Sequence, residues 1–159
     1  MYIHCISIVY QLYYIRFMSE QLNKTLIIYT DGGARGNPGP AGIGAVAYNE
    51  NGDTVFQVSE HIGETTNNQA EYKAVVRALE EAKKYGGKEL SFYLDSELIV
   101  KQLNGEYKVK NKELQPLFVN IHNLGLNFKK LEYRHVRREN NKEADRLVNG
   151  AIDQFFNRN

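Results

Sequence analysis

"KTLIIYTDGGARGNPGP", Lys24 to Pro40, sets an apolar run against a run of glycines and prolines, with one acid, Asp31, at the join. A continuous apolar segment of this length suits a strand covered on both faces, so Lys24–Asp31 is predicted as a central strand. A plain turn would account for the acid alone. A site where the backbone must come close to a partner, and a carboxylate must hold it, would account for the acid and the glycines together.

Outward from this stretch the chain divides into regular elements. "AGIGAVAYNENGDTVFQVSEHIG" reads as a hairpin that turns at Asn51-Gly52, with Phe56, Val58 and Ile62 alternating with polar residues beyond it. "TNNQAEYKAVVRALEEAKKYGG" reads as a helix with a stripe of Ala70, Ala74, Val75, Ala78, Leu79 and Ala82. Thr66 or Asn67 caps its start, and Gly86-Gly87 stops it. "KELSFYLD" is a second buried-type strand, ending in Asp95, and Ser96 caps the short helix "ELIVKQLN". The linker "GEYKVKN" leads to a helix around Glu113 to Asn123. "NFKKLEYRHV" is the last strand, and a closing helix starts near Asn141 with a stripe of Ala144, Leu147, Val148, Ala151, Ile152 and Phe155. Three strands, a helix, a strand, helices, a strand and a helix make an α/β domain. Its sheet is expected to be mixed, because the early hairpin is antiparallel.

At 159 residues and 18.3 kDa the chain suits one domain with a proper core. A net charge of +1 argues against a long basic arm. The lone cysteine, Cys5, excludes an internal disulfide framework and a cysteine-rich zinc site, and fits a reducing, cytoplasmic setting. The first eighteen residues, "MYIHCISIVYQLYYIRFM", are apolar, with neither the basic start nor the small-residue cleavage site of a signal peptide. Gln11 and Arg16 interrupt what is already a short run for a membrane span. Met18 is an alternative start, the residues before it being an upstream extension or a disordered or loosely packed tail; a membrane anchor is the competing reading. The boundaries expected are an N-terminal extension over residues 1–23, outside the fold, and a domain over residues 24–159.

Four acids stand where acids are locally unwelcome. Asp31 and Asp95 each follow the last apolar residue of a buried-type strand. Glu71 shares a helix face with Val75, Ala78 and Ala82, and Asp145 lies at the edge of the last helix's stripe. Any one alone reads as a cap, a turn residue or a partly buried acid with a basic partner. If the four converge, they must protonate or bind cations. All-oxygen ligands select hard ions, so Mg²⁺ comes first and Mn²⁺ is its substitute. Two such ions held about 4 Å apart suit in-line attack on a phosphodiester.

"TDGGARGNPGP", "TTNNQAEYKAVVRALE", "LDSELIVKQL" and "NNKEADRL" together resemble the four signature blocks of type 1 ribonuclease H, in order and at suitable spacing, over about Lys24 to Phe156. The resemblance implies the ribonuclease H-like α/β fold, a five-stranded mixed sheet flanked by helices. It places the catalytic and metal-binding acids on Asp31, Glu71, Asp95 and Asp145. It implies hydrolysis of the RNA strand of RNA–DNA hybrids by two Mg²⁺ ions, one activating water and one stabilising the leaving 3′ oxygen. Gly32 and Gly33, with Gly36, would let backbone approach the nucleic acid. Asn37, Asn67 and Asn68 would touch the minor groove, and Thr66 would hold a phosphate of the DNA strand.

This chain departs from the family pattern in three places. Glu97 stands where many members have Gln after the Asp-Ser pair. It can accept from a 2′-hydroxyl but repels phosphate. "NGEYKVKNKEL" replaces a long basic, Trp-rich protrusion, leaving Lys108, Lys110 and Lys112 for extra grip and implying salt-sensitive binding. No histidine lies between Val136 and Asp145, so Arg137 or Arg138 is expected to take over part of the family histidine's role in proton shuttling or product release. The short form resembles the archaeal-type branch, without an amino-terminal hybrid-binding domain. A monomer with no protein partner is expected. Activity on double-stranded RNA and a non-catalytic nucleic-acid-binding module are the alternative readings.

Overall fold

The computed structural model describes residues 2–22 and 25–158, with side chains for 8–18 and 25–158. Lys24 and Asn159, the ends expected for the domain, lie outside the described residues. The elements run α1 (Tyr2–Leu22), β1 (Thr25–Ala34), β2 (Gly39–Tyr48), β3 (Thr54–Thr65), α2 (Asn67–Lys84), β4 (Glu89–Leu94), α3 (Glu97–Leu103), α4 (Gln115–Gly125), β5 (Lys130–His135) and α5 (Lys142–Arg158). A 3₁₀ turn, Arg138–Asn140, enters α5.

The sheet has five strands in the order β3-β2-β1-β4-β5. β1 pairs antiparallel with β2, β2 antiparallel with β3, and β1-β4 and β4-β5 are parallel. The expected mixed α/β sheet is thus what the chain forms. The hairpin turns at Gly52, whose φ of +85° suits a residue without a Cβ. α2 lies on one face with α4 against its outer side, and α5 crosses β1, β2 and β3 on the other. The main core fills the α2 side: Leu26, Ile28, Leu90 and Phe92 from the sheet meet Tyr72, Val75 and Leu79.

One local expectation needs correcting. β1 does not stop at Asp31 but continues through Gly32 and Gly33 to Ala34, because β2 keeps pairing with it as far as Ala34–Ala41. The glycines that read as loop are strand. The stretch read as an extension outside the fold forms, from Tyr2 to Leu22, the helix α1. Its large apolar side chains from Ile8 to Met18 are exposed, since apolar residues ring the helix instead of forming one stripe that a single contact would bury. Among the described residues, no helix is long and apolar enough to cross a membrane.

Candidate active site

Strand register brings the first two acids together. In the parallel pair, Tyr29 of β1 aligns with Tyr93 of β4, so two residues further on Asp31 and Asp95 emerge side by side where β4 ends.

The other two acids arrive on helices that each rest on a glycine. A Cβ on Gly32 would lie 2.2 Å from the carbonyl carbon of Ala70 and 2.4 Å from the nitrogen of Glu71. Only a glycine lets α2 lie this low on β1, and Glu71 comes with it. The missing side chain of Gly32 is thus used by α2, and Gly32 and Gly33 also line the groove beside the acids. Across the ladder, Asp31 pairs with Gly44, where a Cβ would lie 2.3 Å from the carbonyl oxygen of Ala144. Alternation along the strands puts that contact on the opposite face of the sheet. α5 is seated there one residue before Asp145. Its first turn is also tied to β1, because the buried Asn141 side chain donates to the Thr30 carbonyl at 3.0 Å while its own carbonyl accepts from Asp145 N at 3.1 Å.

Carboxylate oxygens of Asp31, Glu71 and Asp95 lie within 4.8 Å of one another. Burial, with Asp95 next in weight, pushes the Asp31 carboxyl up to about 7, against the hydrogen bond it accepts from its neighbour Gly32 N. Burial, then Asp31 and Asp95, pushes Glu71 up to about 8, with a hydrogen bond from Ser96 opposing. Crowded like charge in a half-dry site favours the protonated acids. A divalent cation relieves the same conflict, and an all-oxygen donor set suits Mg²⁺ or Mn²⁺. Asp145 joins the groove on other terms. Arg138 Nη2 reaches its Oδ1 at 3.2 Å, and Asn149 Nδ2 reaches its Oδ2 at 3.1 Å. So the four acids do not form one equivalent cluster: three are packed together, and the fourth is already partnered.

The groove, about 450 Å³, is lined by these acids together with Asn67, Arg138, Gly32 and Gly33. The Asn67 side-chain oxygen accepts from Ala34 N at 2.8 Å, and its backbone N donates to Asn37 Oδ1 at 3.1 Å. Both amide oxygens are thus used internally, and both residues are exposed. Thr66, not Asn67, caps α2: its hydroxyl accepts from Gln69 N at 3.3 Å within a capping box. Asn68 is exposed in the first turn of α2. Glu97 pairs with Lys101 at 2.8 Å, and Arg137 lies 3.7 Å from Glu139. Asn37, Thr66, Asn68, Glu97 and Arg137 are not part of the groove lining, so of the two arginines only Arg138 reaches the acids.

Sequence reasoning missed Arg35 and Asn149 in the groove, and Asn141 behind it. Asn149 was findable, because four residues after Asp145 it shares its helix face. Gly44 had no local signal at all.

Residues 29–151 match the family described as reverse transcriptase-like. A bifunctional protein of Mycobacterium tuberculosis is 43% identical over 129 residues, covering 80% of this chain and 35% of that protein. A ribonuclease HI of Halobacterium salinarum is 40% identical over 125 residues, covering 79% of this chain and 63% of that one. The chain therefore spans only part of the length of these curated relatives. A ribonuclease H1 from compost, crystallised in complex with an RNA/DNA hybrid, matches with a TM-score of 0.79 at 49% identity, over 82% of this chain and 99% of that one. With its sheet order, its acids at one end of the sheet and these matches in agreement, the chain belongs to the reverse transcriptase-like, ribonuclease H family.

Proposed function

We propose that this chain is an endoribonuclease that hydrolyses the RNA strand of RNA–DNA hybrids, leaving 5′-phosphate and 3′-hydroxyl ends. Asp31, Glu71, Asp95 and Asp145 would hold two Mg²⁺ ions, with Mn²⁺ as substitute. The observation that carries the reading is the trio of carboxylates within 4.8 Å, two of them raised to about 7 and about 8. When bound, such ions supply Lewis-acid stabilisation of developing negative charge and a water acidified towards neutrality.

The chain's own residues do the rest. Asp31 on β1 and Asp95 immediately after β4 form the floor, and Glu71 closes one side from α2. A rigid carboxylate frame fixes the line of attack on a phosphodiester laid across it. The NH₂ groups of Asn67 and Asn37, with Asn68 and Glu97 beyond the groove, would meet the 2′-hydroxyls and base edges of the minor groove, their oxygens being engaged internally. The Thr66 end of α2 is the place for a phosphate of the DNA strand. Backbone at Gly32 and Gly33 borders the scissile position. Arg138, held on Asp145, would exchange that contact for the product phosphate, with Arg137 as the second candidate. The compost relative's complex with an RNA/DNA hybrid supports this choice of substrate. The same reading takes the enzyme as a cytoplasmic monomer, with double-stranded RNA as the second duplex to test.

The test is cleavage of matched end-labelled hybrid, RNA–RNA and DNA–DNA duplexes with and without Mg²⁺. Metal-dependent cutting of the hybrid's RNA alone is expected. Equal cutting of both hybrid strands, or preference for the DNA duplex, would reject it.

A further inference from the structure

We infer that Arg35 is a phosphate-contact residue of the groove, held ready by the C-terminal end of α5; the inference rests on the hybrid-binding reading above. Arg35 opens the loop between β1 and β2, and little freedom is left to its backbone. Its N–H donates to the Pro40 carbonyl at 2.8 Å, and a Cβ on Gly39 would lie 2.2 Å from its carbonyl oxygen. The side chain is oriented from elsewhere. Nη2 is ion-paired with Asp153, and the guanidinium carbon lies 5.6 Å from the centroid of the Phe156 ring. Asp153 and Phe156 are three residues apart, hence neighbours on one face of α5.

An exposed ion pair of this kind stabilises a fold little. What it does do is fix a long side chain in one place. That place borders the groove: Arg35 is among the residues lining the same cavity as Asp31, Glu71 and Asp95, and its side chain is 44% exposed. The other cation lining the cavity, Arg138, is engaged by Asp145. Arg35 makes no ion pair with any of the four acids among the described residues, so it does not compete with metal for them. A guanidinium has five N–H donors, and the one bond to Asp153 leaves a fork suited to a phosphate's oxygens. A backbone phosphate other than the scissile one is the ligand that a duplex lying in this groove would offer. Ordering the side chain in advance lowers the entropy lost when that contact forms.

Fluorescence anisotropy with a labelled hybrid in Ca²⁺, over a NaCl series, reads binding without depending on turnover. Arg35→Met should weaken binding about five- to tenfold at low salt and reduce the slope of log Kd against log salt by about one, as for loss of a single phosphate contact. Arg35→Lys should keep the slope and recover part of the affinity. Asp153→Asn should weaken binding by less than Arg35→Met and keep the parental slope, because it loosens the side chain but leaves the arginine charge. With Mg²⁺, Arg35→Met should raise KM and leave kcat within about twofold. A parental Kd and slope in Arg35→Met would overturn the inference. So would equal losses of affinity and Tm in Arg35→Met and Asp153→Asn, which would make the pair a structural clasp. A chain that binds hybrid but does not cut it would sink the nuclease reading and leave the Arg35 comparison decisive; a chain that binds no hybrid overturns both.

Discussion

Glu71 and Asp145 both reach the groove from helices seated on glycines, on opposite faces of one sheet, yet their surroundings differ. Glu71 is pressed among Asp31 and Asp95, and its carboxyl is pushed up to about 8. Asp145 has Arg138 on one oxygen and Asn149 on the other. The interior side leaves like charge uncompensated, whereas the rim side supplies its own donors. Charge left unresolved by a fold is a place where an added cation gains most, and the partnered acid is the one whose contacts can exchange.

The sharpest test of this contrast is loss of an acid from each side. Asp31→Asn or Asp95→Asn should lower hybrid cleavage by about 10³-fold or more, a loss of at least ~4 kcal/mol of transition-state stabilisation. Asp145→Asn should cost less, since the amide oxygen can still accept from Arg138. Equal losses in steady-state assays at saturating Mg²⁺ would erase the distinction. Activity within tenfold of the parent in Asp31→Asn would remove the site altogether.

The two glycine seats come next. Gly32→Ala and Gly44→Ala each place a Cβ against helix backbone, at 2.2 Å and 2.3 Å, where no side chain can give way. Each should cost about 3 kcal/mol or more, because the helix must lift from the sheet. Urea unfolding measures it. An Ala variant with a parental midpoint would show that the helices are free to ride higher, and that the glycines serve the ligand after all.

A smaller effect separates the sides by pH. The folded-state carboxyls of Asp31 and Glu71 sit above their unfolded values of 3.8 and 4.5, so the folded protein binds protons more tightly. The contribution of these two groups to metal-free stability is therefore full below their unfolded values and is lost as pH rises through about 7 to about 8. Asp31→Asn should flatten this fall and raise the metal-free Tm at pH 8 by roughly 3–10 °C, for about 1–3 kcal/mol of relieved repulsion. Mg²⁺ should raise the parent's Tm at pH 8 more than at pH 5. Thermal melts in EDTA that are level from pH 5 to 8 would contradict the crowding of the trio.

The smallest change is expected at the other end of the chain. A chain starting at Met18 should keep the parent's Tm within about 2 °C and its cleavage rate, if α1, with its exposed apolar surface, adds little to the domain. Calorimetry decides it, and a melt several degrees lower would show that α1 packs on the domain.

Sequence alone settled what depends on neighbours along the chain. The apolar runs gave the central strands, the stripes gave α2 and α5, and Ser96 and Thr66 announced the helix starts they cap. It also singled out Asp31, Glu71, Asp95 and Asp145, because a charge in an apolar pattern is visible without coordinates. Tertiary structure decided everything that rests on contacts between distant residues. β1 extended past Asp31 because β2 was there to pair with it, a partner that glycine-rich local propensity does not reveal. Gly32 and Gly44 acquired their purpose only from the helices laid upon them. Three acids became a crowded trio and the fourth a partnered one because register, helix seating and the reach of Arg138 and Asn149 fix distances in space, and electrostatic energy depends on those distances rather than on sequence spacing.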